Sequence, residues 1–134
     1  MRSVRSLLAT SAVALLASGV CAQATGAAKA KQSVVGLGLR EYRISVYRAS
    51  VPTGRVVFNL KNFGEDRHDV QISGPGGYLS PKSREVTPFG GTDKLKVRLR
   101  RSGTYTLICT LPAHADLGMK AKIKVKKRKA NSAS

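Results

Sequence analysis

From Ser33 onward the chain alternates apolar and polar positions. Val35, Leu37 and Leu39 alternate with Val34, Gly36 and Gly38, and Tyr42, Ile44 and Val46 with Arg43 and Ser45. Val56, Phe58 and Leu60 alternate with Val57, Asn59 and Lys61. A period of two sends successive side chains to opposite faces of a strand. No stretch shows the period of a long helix. Val51-Pro52-Thr53-Gly54 predicts a turn, because Pro and Gly break regular structure. Asn62-Phe63-Gly64 predicts the end of the strand through Phe58.

The alternation continues to the carboxyl end. His68, Val70 and Ile72 share one parity, against Asp69, Gln71 and Ser73, so His68 is expected to face inward with its apolar neighbours. Gly74-Pro75-Gly76-Gly77 reads as a tight turn. Residues 78–92 are rich in Pro, Gly and Ser and fit either a short strand or one helical turn. Leu95, Val97 and Leu99 alternate with Lys94, Lys96, Arg98 and Arg100, and Arg101-Ser102-Gly103 turns the chain. Tyr105, Leu107 and Cys109 share a parity. After a loop at 110–118, Met119, Ala121, Ile123 and Val125 alternate with Lys120, Lys122, Lys124 and Lys126. Seven or so short strands separated by turns predict an all-β, antiparallel sandwich. The Lys and Arg outer faces suit solvation and block edge-to-edge aggregation, or else anion recognition.

The first residues follow another pattern. Arg2 and Arg5 precede an apolar run from Leu7 to Val20, and Ala22-Gln23-Ala24 has the small-x-small form of a cleavage site. The run is short for a membrane span, which takes about 20 residues. Residues 1–24 are therefore expected to be a secretory signal, with a retained anchor as the alternative, and the protein to be exported to the periplasm, the cell envelope or the exterior. Residues 25–32 read as a loose leader, 33–127 as the folded domain and 128–134 as a basic, polar, disordered tail.

Charge and cysteine count sharpen this. The formal net charge is +17, and losing Arg2 and Arg5 lowers it by two, to about +15. Anionic partners follow: an acidic protein, envelope polymers or lipid head groups. Export and the scarcity of aromatic side chains argue against nucleic acid. A monomer is expected. Cleavage after Ala24 removes Cys21 and leaves Cys109 alone, so no intramolecular disulfide can form and the thiol needs another role.

Cys109-Thr-Leu-Pro-Ala-His114-Ala-Asp-Leu-Gly-Met119 supplies one. It carries a thiol, an imidazole and a thioether, and His68 adds a second imidazole. Two nitrogens, a thiolate and a weak axial thioether are the donors of a blue-copper electron-transfer site. Each residue also has a plainer reading: a satisfied core histidine, an exposed loop histidine, a core-filling methionine, a buried apolar cysteine. Zinc would ordinarily take four firm Cys or His ligands, and three are present. A Cys-His-His zinc with an open position, or a nucleophilic Cys109 beside His114, stays open on the residues alone.

The Cys109–Met119 stretch resembles the copper loop of the cupredoxins, the plastocyanin and azurin group. Val51-Pro-Thr-Gly-Arg-Val-Val-Phe58, Asn62-Phe-Gly64 and His68-Asp-Val70 are similar to the family's first-ligand region. Leu95-Lys-Val-Arg-Leu99 and Gly103-Thr-Tyr-Thr-Leu-Ile-Cys109 resemble the strands before the ligand cysteine. The resemblance covers roughly residues 33–127. It implies a Greek-key sandwich holding one copper ion through His68, Cys109, His114 and Met119, and a redox partner protein. Asp69 stands where many members carry Asn. The function expected is a one-electron carrier without enzymatic activity, the alternative being copper delivery, storage or sensing.

Overall fold

Residues 31–129 are described by a computed structural model. The expected signal segment and nearly all of the leader and tail lie outside the described residues. Nine strands form: β1 (Ser33–Arg40), β2 (Arg43–Val46), β3 (Ser50–Pro52), β4 (Gly54–Asn62), β5 (Gln71–Gly74), β6 (Tyr78–Leu79), β7 (Thr92–Leu99), β8 (Gly103–Ile108) and β9 (Lys120–Lys126). They make two sheets, ordered β2-β1-β4-β7 and β3-β9-β8-β5-β6. The inward parities of both sheets meet in one core. Phe58, Leu60, Leu95 and Leu99 come from the first, and Ile72, Tyr105, Leu107 and Ile123 from the second. Each such side chain stabilises the fold by about 1.5–3 kcal/mol on burial. The sandwich therefore coheres with Cys109 as a free thiol.

The chain is the β-sandwich that the alternation predicts, and two features go beyond it. Both sheets are mixed, because β1 pairs parallel with β4 and β3 parallel with β9. Alternation fixes the inward face of a strand and not the direction of its neighbour. Part of the turn expected at Val51–Gly54 is the edge strand β3, which Pro52 permits because its missing N–H can face away from the ladder. Residues 78–92 begin as β6 and continue as a strap along β5. Ser80 and Ser83 accept hydrogen bonds from the N–H groups of Ile72 and Val70, each at 2.9 Å, satisfying backbone that no strand covers.

Strand direction gives the sandwich two poles. β1 and β4 end where β7 and β9 begin, and this pole carries Glu41, Asn62 and the loop after Cys109. The opposite pole carries Thr53, the Arg101–Gly103 turn and the chain leaving β9. There Arg128 donates to the Thr53 carbonyl at 3.0 Å and to the Lys31 carbonyl at 3.1 Å.

Candidate metal centre

Cys109 and Met119 lie one residue beyond β8 and one before β9, and both stay on the buried parity of those strands. The Cys109 N–H donates to the Met119 carbonyl at 3.1 Å and the Met119 N–H to the His114 carbonyl at 2.9 Å. The loop is thus closed at its base and braced at its middle. Within it, the His114 N–H donates to the Leu111 carbonyl at 3.2 Å, and Ala113 has a φ of 67°. Pro at the second position and positive φ at the third define a type II turn, which swings His114 back toward the core.

His68 comes from the other side of the cleft. It sits before β5 in an isolated bridge to Val86 and is completely buried. Its Nδ1 lies 3.2 Å from His114 Nδ1, which in turn lies 3.4 Å from Cys109 Sγ. One donor atom from each of His68, Cys109 and His114 falls within 4.8 Å of the other two. His68 and Cys109 are buried, whereas His114 is half-buried and offers an edge to solvent. Met119 is buried beside them.

The groups around these side chains set their chemistry. Glu41 Oε1 accepts from the backbone N–H groups of Glu65 at 2.7 Å and Asp66 at 2.8 Å, and lies 3.2 Å from His68 Nε2. Hydrogen bonding from the Asp66 N–H, with those of Glu65 and His68, holds the Glu41 carboxyl down from 4.5 to about 2. An ionised Glu41 fixes the proton of a neutral His68 on Nε2 and leaves Nδ1 as a lone-pair donor toward the cluster. Burial keeps His68 neutral by lowering its pKa, against the pull of Glu41. Burial also pushes the Cys109 thiol above its ordinary value, against the N–H groups of Asp69 and Leu111. Asp69 is turned toward the loop, where its two oxygens accept from the Thr110 N–H and hydroxyl.

All four residues singled out from the sequence are at this pole, and three of them bring donor atoms together. Two residues were not found from the sequence. Glu41 and Tyr42 form the two-residue turn between β1 and β2. Glu41 reaches His68, and Tyr42 sets its ring edge-on to His114 with centroids 5.1 Å apart. Alternation had put Tyr42 inward with Ile44. It is instead exposed, because a turn residue does not keep strand parity. Asp69 likewise departs from the outward parity expected of it and is buried by its bonds to Thr110. Nothing in the sequence marks Glu41, since its contact with His68 spans 27 residues.

Sulfur and imidazole donors converging from a sandwich end define a copper-type β-sandwich protein. Residues 50–126 match the model of a family described as copper binding proteins, plastocyanin/azurin family. That match covers more than half of the chain, and the chain belongs to this family. Solved structures agree on the fold. A dithionite-reduced auracyanin from the photosynthetic bacterium Roseiflexus castenholzii is 21% identical with a TM-score of 0.60, covering 70% of this chain and 97% of its own. Rusticyanin from Thiobacillus ferrooxidans is 21% identical with a TM-score of 0.56, covering 72% and 78%. A copper-containing nitrite reductase from Thermus scotoductus is 18% identical with a TM-score of 0.53, covering 75% of this chain and only 29% of its own. No curated protein matches the chain by sequence.

Proposed function

We propose that this protein is an exported type 1 copper protein that carries single electrons. In this reading His68, Cys109 and His114 hold the ion, Met119 is its weak axial ligand, and the protein is not itself an enzyme. The observation that carries it is the meeting of one donor atom each from His68, Cys109 and His114 within 4.8 Å at one pole of a rigid sandwich. Bound copper supplies one-electron chemistry between its two oxidation states. The chain supplies the rest. Two buried donors exclude water, Glu41 orients His68, and the half-buried His114 edge is the contact for a redox partner. Burial of Cys109 favours a carrier over delivery, because a protein that hands its metal on benefits from exposed, exchangeable ligands.

The partner proposed is an acidic protein, steered by the positive field of the chain. The test is to load the purified protein with Cu(II) and record its visible spectrum. An intense blue band from sulfur-to-copper charge transfer is expected, absent from Cys109→Ser. Binding of zinc with a colourless Cu(II) form would overturn the reading.

A further inference from the structure

All seven Asp and Glu residues of the chain sit on the metal half of the molecule. Glu41, Glu65, Asp66 and Asp69 surround His68, Glu85 precedes its bridge partner Val86, Asp93 opens β7 and Asp116 is in the ligand loop. Among the described residues the opposite pole carries no carboxylate. It carries Arg55, Arg98, Arg100, Arg101, Lys126 and Arg128, all exposed. Arg55 and Arg98 face each other directly across β4 and β7. Like charges in a cross-strand pair cost stability, and nothing described offsets this pair. The side chains of Arg55, Arg98, Arg100 and Arg101 make no hydrogen bond or ion pair among the described residues. A role in blocking edge aggregation would account for β7, which is an edge strand, but not for Arg55 on the interior strand β4.

We propose that this pole is a docking surface for an anionic lipid bilayer, holding the metal centre away from the membrane and open to partners. Guanidinium groups pair with phosphate oxygens in a planar, two-pronged way. Two observations favour lipid over a protein. Protein interfaces need an apolar centre, and of the exposed large apolar side chains Tyr42, Phe63, Phe89 and Leu117 cluster at the metal end, whereas Val34, Tyr47 and Leu79 are scattered along the strands. The chain also enters the fold here. Arg128 holds the Lys31 carbonyl at 3.1 Å, and Ser33 pairs with Val56 at the start of β1. The apolar run ending at Val20 lies eleven residues before Lys31, a reach of at most about 40 Å. During export, before cleavage after Ala24, the chain therefore emerges at the bilayer with this pole nearest to it.

The proposal does not depend on copper, and neither does its test. The mature protein, from Thr25 onward, is floated with vesicles of phosphatidylcholine alone and of phosphatidylcholine mixed with phosphatidylglycerol, at about 0.15 M salt. R55Q/R98Q/R100Q/R101Q is compared with R43Q/K61Q/K82Q/K94Q, which removes the same charge from the metal half. Thermal unfolding of both confirms the fold. Binding to the mixed vesicles alone is expected. Each arginine contributes roughly fivefold, so the first variant should lose nearly three orders of magnitude, and the second far less. Equal losses in the two variants would show that only net charge matters and overturn the proposal. So would wild-type binding to phosphatidylcholine alone at the same level, which charge on the arginine pole would not explain. Arginine-dependent capture of soluble polyaspartate without vesicle binding would assign the pole to an acidic protein instead.

Discussion

At the scale of single residues, the centre depends on side chains that never touch one another in sequence. Glu41 ties the β1–β2 turn to His68 and to two backbone N–H groups. Its carboxyl is held near 2, below its ordinary 4.5. A depressed acid contributes stability that is present above 4.5 and is lost as pH falls toward 2. Urea unfolding of the metal-free protein should thus show wild type more stable than Glu41→Gln near neutrality, with the gap closing across that window. A constant gap down to pH 2 would deny Glu41 its ionic role. The same substitution should weaken copper binding by roughly 10–100-fold, as loss of a partner behind a ligand histidine does. Cys109 moves the other way. Its thiol is raised by burial, and in the proposed site it would ligate as thiolate. Below the thiol pKa, copper affinity should fall about tenfold per pH unit, one proton being released on loading. Calorimetry in two buffers of different ionisation enthalpy reads that proton directly. Met119→Leu tests the axial role: copper should stay and the reduction potential should rise, whereas release of the metal would make Met119 a firm ligand.

At the scale of elements, one buried amide organises the metal pole. Asn62 Nδ2 donates to the Asp66 carbonyl at 2.7 Å and the Val86 carbonyl at 3.1 Å, while its Oδ1 accepts from the Gly64 N–H at 2.9 Å. It joins the end of β4 to the turn before His68 and to the strap that bridges it. Asn62→Ala would orphan these groups in a site closed to water, at a cost of about 1–3 kcal/mol for each one left unpaired. Denaturant midpoints should fall accordingly, and copper affinity with them, because His68 loses its support. Gly64 has a related duty. A Cβ there would collide with the Glu41 carboxylate. Gly64→Ala should therefore displace Glu41 and reproduce the copper-binding loss of Glu41→Gln.

At the scale of the whole molecule, charge is divided between the poles. The formal +17 is a sum over a metal half that holds every carboxylate and a far half that holds none among the described residues. Association with an acidic redox partner should be fast at low salt and slow as ionic strength approaches 0.15 M, where the Debye length is about 8 Å. A rate independent of salt would reject steering and leave the metal centre untouched. Export is a prediction at the same scale. The mature amino terminus should be found near Thr25, and intact Met1 on cytoplasmic protein would contradict it.

Alternation alone determined the sandwich, because a period of two is a local property and one buried face per strand is enough to specify it. It also put His68, Cys109 and Met119 on inward positions: parity carries one residue past a strand end for Cys109 and Met119, and the bridge to Val86 keeps His68 in extended backbone three residues before β5. The donor types were legible because thiol, imidazole and thioether are rare in this chain. Only the tertiary structure decided what surrounds them. Glu41 and Tyr42 lie in a turn, where parity has no meaning, and they reach the centre through contacts distant in sequence. Asp69 is buried against its parity because Thr110, 41 residues away, offers it two donors. The parallel pairings and the separation of charge between the poles follow from strand direction. That is set by how the two sheets close around one core, and no stretch of sequence contains it by itself.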